Sequence, residues 1–168
     1  MKKAICISLV ILAIVSCTSS KKNKLDKFVY DYEQIFNEAQ AKKLNDLFKN
    51  HEENTGNEII LVTTDDYGDA EGIVKYSDQY VSVNEIGKAN NNKSILIVFS
   101  DKNSEIKITV ESGVKETIND EVEKMIIDSI MLPKFREDKN FEGLWLGSQE
   151  IVGLLEKPGS EDNPETEM

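Results

Sequence analysis

Cysteine, histidine and arginine are nearly missing from this 168-residue chain, which carries two cysteines, one histidine (His51) and one arginine (Arg136). Two cysteines, Cys6 and Cys17, cannot supply a disulfide framework, and neither a thiolate zinc site nor a histidine pair is available. Also missing are the Gly-x-Ser-x-Gly elbow, the phosphate loop and the dinucleotide fingerprint, so no strong catalytic or nucleotide-binding motif is present. No apolar run reaches the ~20 residues of a membrane-spanning helix, and there is no internal repeat.

What the first residues do contain is a pattern of another kind. Met1-Lys2-Lys3 gives a basic start, and Ala4 to Val15 an apolar run of about a dozen residues, the length of a signal-peptide core. It closes on Ile14-Val15-Ser16-Cys17, which resembles the lipobox of bacterial lipoproteins, and a polar stretch begins directly after it. The alternative is an ordinary secretory signal with an incidental Cys17. With the lipobox, residues 1–16 are a signal peptide and Cys17 is acylated. Residues 17–26 are then a polar tether, 27–157 one domain and 158–168 a disordered acidic tail with two prolines. The expected location is the cell envelope, lipid-anchored and facing the periplasm or the exterior. A tether stretching at most ~3.5 Å per residue keeps the domain within ~25 Å of the bilayer.

Loss of Lys2 and Lys3 with the signal leaves 18 basic against 31 acidic side chains, a formal charge of −13. Such a surface repels phosphate backbones and anionic headgroups, so a nucleic-acid partner is not expected and the lipid, with Lys21, Lys22 and Lys24, is the expected membrane contact.

Between tether and tail the apolar periodicity changes several times. Asn37 with Gln40 resembles a capping box, and Ala41, Leu44, Leu47 and Phe48 follow at helical spacing until Gly56, which predicts a helix over 38–54. Ile59 to Val62 and Ile95 to Phe99 are continuous apolar runs rich in β-branched residues, read as strands covered on both faces. Between them Asp69 is expected to cap a helix whose stripe is Ile73, Tyr76, Ser77, Tyr80 and Val81. A helical crossover makes the two strands parallel. Ile106, Ile108 and Val110 alternate with Lys107 and Thr109 after a turn, which predicts an antiparallel neighbour. Asp120 and Glu123 open a further helix, expected to stop at Pro133, and a last helix spans about 140–156 with Phe141, Leu144, Trp145, Val152 and Leu155 on one face. The sum is an α/β fold: a three-layer α/β/α sandwich around a small mixed sheet, two strands parallel and one returning as an antiparallel hairpin partner.

The acids are the most suggestive chemical groups. The two parallel strands release Asp65, Asp66 and Asp101 at their carboxyl-end edge, where open α/β sheets usually bind ligands, and Asp31 joins them if residues 28 to 30 lead up the sheet. Carboxylates converging there would repel one another unless they shared a hard cation, Ca2+ or Mg2+, so Asp31, Asp65 and Asp101 form a candidate metal set. The competing reading is structural: Asp31 holds a helix entry, Asp65 and Asp66 are solvated, and Asp101 opens a turn. Asp120 reads as an N-cap, His51 as an exposed imidazole near a helix C-terminus, and Trp145 as core rather than a binding platform.

The order of these features resembles the TPM domain family, named from a thylakoid lumen phosphatase, a photosystem II repair protein and a nematode receptor modulator. The resemblance runs from about Phe28 to Leu155. It is carried by Val29-Tyr30-Asp31 before Ile35-Phe36-Asn37, by Thr55-Gly56 before the first apolar strand, and by Ile86-Gly87 with Asn92 before the second. Gly113, Asp120, Pro133-Lys134-Phe135, Phe141 and Gly143-Leu144 continue it. This sequence departs from the family where Asn84 stands for a tryptophan and Glu111-Ser112-Gly113 for a Gly-aromatic-Gly turn. The resemblance implies a binding or accessory module for a membrane protein complex, in assembly, repair or maintenance. It also implies the alternative of a divalent-metal-assisted phosphatase acting on phosphomonoesters.

Overall fold

The two continuous apolar runs become the centre of the sheet in a computed structural model that describes residues 28–157. The signal peptide, Cys17, the tether and the acidic tail lie outside the described residues. Strand β2 is Glu58–Thr63 and β3 is Ser94–Ser100; all seven residues of β3 are buried, as are five of the six in β2. They pair in parallel with Ile60 beside Leu96 and Val62 beside Val98. Side chains alternate between the two faces of a strand. Ile59, Leu61, Ile95, Ile97 and Phe99 therefore enter one core, and Ile60, Val62, Leu96 and Val98 enter another.

Strand β4, Glu105–Val110, pairs antiparallel with β3 as expected. The sequence also forms a strand not counted from its pattern, β1, Val29–Asp31, which pairs in parallel with β2 and makes the sheet order β1-β2-β3-β4. Three parallel strands and one antiparallel result. At three residues β1 is too short to show a period, and its register is fixed by Val29 reaching the first core while Tyr30 reaches the second.

The first core is covered by three helical segments. Helix α1, Glu38–Thr55, opens on the expected capping box: Asn37 Oδ1 accepts from Gln40 N at 2.9 Å, and Gln40 Oε1 accepts from Asn37 N at 3.0 Å. It ends at Gly56, whose φ of 74° favours a residue without Cβ. Beside it lie α5, Asn140–Glu156, and the run formed by α3, Asp120–Met125, a π-helical turn, Ile126–Met131, and α4, Leu132–Phe135. The second core is covered by α2, Ile73–Asn84, the first residue of which is buried with Ser77. Helices on both faces make the expected three-layer sandwich. None of the described helices is long and apolar enough to cross a membrane.

Three local expectations are corrected. Asp69 does not cap α2: Gly72 stands at the N-cap, with φ of 88° and no side-chain bond, because residues 67–72 turn before the helix begins. The cap of α3 is Asn119, whose Oδ1 accepts from Glu121 N at 3.1 Å and Val122 N at 3.0 Å, which leaves Asp120 inside the first turn. Pro133 does not stop its helix. The π turn widens the helix ahead of it, Leu132 N reaching back to Ile127 O, so the proline enters at the start of α4 where its missing N–H is tolerated.

The π turn also brings Met131, fully buried, against α5. A Cβ at Gly147 would stand 2.0 Å from Met131 Cε and 2.7 Å from its Cγ, whereas a Cβ at Gly153, on the same helix, meets nothing within 4 Å. Gly147→Ala should therefore overpack the interface and lower stability by about 1–3 kcal/mol. Gly153→Ala should raise it by roughly 0.5–1 kcal/mol through helix propensity alone. Thermal melts of the two variants must move in opposite directions; a common direction would contradict this helix contact.

Candidate functional site

The carboxyl ends of β1, β2 and β3 meet at one edge, as the topology requires, and the acids there are each tied to separate partners. Asp31 closes β1 and turns back on its own chain. Its Oδ1 accepts from Ile35 N at 3.1 Å and from Thr63 Oγ1 at 2.5 Å, and its Oδ2 accepts from Phe36 N at 2.9 Å. Asp65, after β2, takes the Lys102 ammonium at 2.5 Å. That hydrogen bond holds the Asp65 carboxyl below its usual range and raises Lys102. Asp66 accepts from Gly68 N at 2.8 Å, a local turn. Asp101, after β3, accepts from Asn140 Nδ2 at 2.6 Å and borders an open depression of about 550 Å3 that Asn140 and Phe141 also line.

Asp31, Asp65 and Asp101 thus share an edge without forming a cluster. Among the described residues no three of His, Cys, Asp and Glu are grouped so that they could hold a metal ion. Both oxygens of Asp31 are engaged by the fold, whereas Asp65 and Asp101 each accept through one oxygen. Sequence reasoning missed Glu33, which bridges the edge: it accepts from Ser100 Oγ and from Asp101 N, both at 2.8 Å. Only the pairing of β1 brings residue 33 within reach of 100, and no local pattern signals it.

All five tyrosines of the chain lie along the α2 side of the same edge. Tyr30 and Tyr32 stack with centroids 6.3 Å apart, Tyr32 lies close enough to act on the Tyr80 hydroxyl, Tyr80 packs on Tyr76 at 5.7 Å and Tyr76 on Tyr67 at 5.5 Å. Tyr67 donates to Glu105 Oε2 at 2.8 Å, so the belt runs from the outermost strand β1 to β4. Each such ring pair is worth ~0.5–1.5 kcal/mol beyond the area it buries. The spacings were visible in the sequence, i and i+2 across the end of β1 and i and i+4 on a helix, but their convergence depends on β1 pairing with β2.

The remaining candidates have structural roles. His51 is not exposed. Its side chain is wholly buried where the ends of α1 and α5 meet, with Nδ1 3.0 Å from Glu156 Oε1, because α5 crosses the end of α1. Trp145 packs against the first core, stacked on Phe141 at 6.3 Å with the Lys43 ammonium 3.9 Å above its ring. Asp120 pairs with Lys115, which lowers its carboxyl below the usual value. Gly113 allows close approach: a Cβ there would stand 2.6 Å from Asn91 O and 2.7 Å from Asn92 O.

The chain also matches a family model. The TPM domain model matches residues 29–154, most of the chain, and the chain belongs to that family. Among solved structures it is similar to the N-terminal domain of a protein from P. gingivalis, at 22% identity and TM-score 0.69, covering 77% of this chain and 82% of that one. It is also similar to the BA42 protein of Bizionia argentinensis, at 17% identity and TM-score 0.62, covering 74% and 83%. The N-terminal domain of the cg2496 protein from Corynebacterium glutamicum matches at 9% identity and TM-score 0.57, covering 89% and 95%. At these identities the likeness is one of fold. No curated protein matches the chain.

Burial pushes the Tyr76 hydroxyl up to about 12, and burial beside Tyr32 pushes Tyr80 higher still. An unfolded tyrosine ionises near 10, with rough agreement among model peptides. The folded state therefore holds its protons more tightly, and the stability this contributes is present below pH ~10 and lost as pH rises toward about 12. An ultraviolet titration of tyrosinate should show Tyr76 and Tyr80 silent until well above the ordinary range, with unfolding as they ionise. Five tyrosines titrating together at the ordinary value, in a chain that stays folded, would contradict the belt.

Proposed function

We propose that this TPM domain is an extracytoplasmic binding module, held at a membrane by lipid on Cys17 and acting as an accessory to a membrane protein complex. The observation that carries the reading is the state of the carboxyl-end edge. Asp31, Glu33, Asp65 and Asp101 are each held by backbone amides or neighbouring side chains of the fold itself, Asp31 and Glu33 through both oxygens and Asp65 and Asp101 through one. A hydrolase acting on phosphomonoesters needs groups there that can turn to a water and a phosphoryl oxygen, together with cationic side chains to steady the developing charge. Lys102 is already paired with Asp65, and the charge of the mature chain opposes a phosphate-bearing substrate. The lipobox-like Ile14-Val15-Ser16-Cys17 supports the tether, and the family's range of assembly, repair and receptor accessory roles supports a protein partner.

The test has two arms. Native membranes solubilised in a mild detergent should yield the chain together with a reproducible set of membrane proteins, and Cys17→Ala should abolish lipid labelling and that association. The purified protein should hydrolyse a phosphomonoester no faster than the Asp65→Asn/Asp101→Asn variant, and Ca2+ or Mg2+ should shift its melting at most slightly. A cation held only by the folded state at 100 times its dissociation constant would add ~2.7 kcal/mol, a rise of roughly 5–10 °C in Tm. Such a rise, with hydrolysis lost in the double variant, would replace the module by a metal-assisted phosphatase.

A further inference from the structure

We propose that the tyrosine belt is a docking surface for a basic, arginine-containing segment of a partner protein. The inference rests on the reading of the domain as a binding module and names the chemistry its partner must offer. Tyr32 is 59% exposed, the other four rings are half-buried, and Val83, 70% exposed, lies on the flank of α2 that carries Tyr76, seven residues earlier. Because β1 is the outermost strand, no further strand of the described sheet lies beyond Tyr30 and Tyr32. Isolated exposed apolar residues need no explanation, but here the exposed Tyr32 continues through ring contacts into half-buried tyrosines.

The strip is built to be rigid. Tyr30 and Tyr32 are stacked, Tyr67, Tyr76 and Tyr80 meet in tilted ring contacts, and a hydrogen bond to Glu105 fixes the hydroxyl of Tyr67. Little side-chain entropy remains to be lost on binding, which is the property that makes tyrosine effective in recognition surfaces.

Charge selects the partner. From residue 65 to 85, the segment that carries three of the five tyrosines, there are six acids, Asp65, Asp66, Asp69, Glu71, Asp78 and Glu85, against one base, Lys75. Asp65 is paired with Lys102 and Glu85 with Lys88, but Asp66 lies close enough to Tyr76 for its charge to act on that hydroxyl. A guanidinium group suits such a surface better than any other side chain, because it stacks on an aromatic face and pairs with carboxylates in the same pose. Acidic segments, phosphorylated ligands and anionic headgroups meet a repulsive field here. A neutral glycan could stack on the rings but would make no use of the acids.

The experiment titrates the full-length protein, in a neutral detergent, with a short peptide of alternating Arg and Ser, its Glu-for-Arg counterpart and an uncharged N-acetylglucosamine oligosaccharide. The Arg peptide should bind and weaken with salt, and the Glu peptide should not bind. Tyr32→Ala should reduce the affinity about fivefold, as expected for loss of one cation–π platform. Tyr32→Leu, which keeps apolar bulk without the π face, should lose nearly as much. Met125→Ala, an exposed site on α3 away from the belt, should leave it unchanged. Absence of Arg-peptide binding, affinity untouched by both Tyr32 variants while melts show them folded, or binding of the oligosaccharide alone would each overturn the proposal. If the Tyr32 variants still copurify with the same membrane proteins, the module reading stands and a different surface serves it; if the wild type captures none, both readings fall.

Discussion

The parallel pairing of β2 with β3 is the constraint on which everything else depends. Both strands are buried on both faces, so the sheet must have a helical layer on each side, and every apolar side chain in the pair, worth ~1.5–3 kcal/mol when fully buried, enforces that arrangement. Parallel pairing in turn requires a crossover, which α2 supplies, and sends the ends of both strands to the same edge. Functional geometry follows from this: the acids of that edge and the tyrosines beside it come from four sequence regions that only the parallel pair brings together.

The edge illustrates how the donors of a fold can answer a conspicuous charge pattern. Carboxylates emerging together from parallel strands would repel, and either a cation or a set of hydrogen-bond donors can relieve the repulsion. Here donors are at hand. Two backbone amides and the Thr63 hydroxyl serve Asp31, an ammonium serves Asp65, Asn140 serves Asp101, and Glu33 is drawn in by Ser100 and the Asp101 amide. The same bonds tie β1, β2, β3 and the start of α5 to one another, so the acids act as fasteners of the sheet's end. The aromatic belt, lying on the other side of that end, is by contrast left partly open to solvent.

Much of this was legible in the sequence. Long uniform runs, the capping box at Asn37 and Gln40, and the alternation in β4 each rest on a local rule that the fold obeys, and the ordered motifs pointed to the TPM family. Where reading failed, the deciding contact was distant in the chain. Strand β1 has three residues and exists because Leu61, Val62 and Thr63 accept it as a partner. His51 is buried because α5 arrives from 105 residues away to cover it. Asp69 and Asp120 lost their capping roles to neighbours, Gly72 and Asn119, that meet the local geometry better, and Pro133 was accommodated by a π turn that no periodicity announces.

The central claim is that the acids at the carboxyl edge serve the fold rather than chemistry. Its most direct test is amide hydrogen exchange at Ile35, Phe36 and Asp101, whose N–H groups donate to Asp31 and Glu33. The account predicts slow exchange at all three, unchanged by Ca2+, Mg2+ or a phosphomonoester. Accelerated exchange at these amides when cation and phosphomonoester are added together would show that the carboxylates leave their donors to take a ligand, and would contradict it.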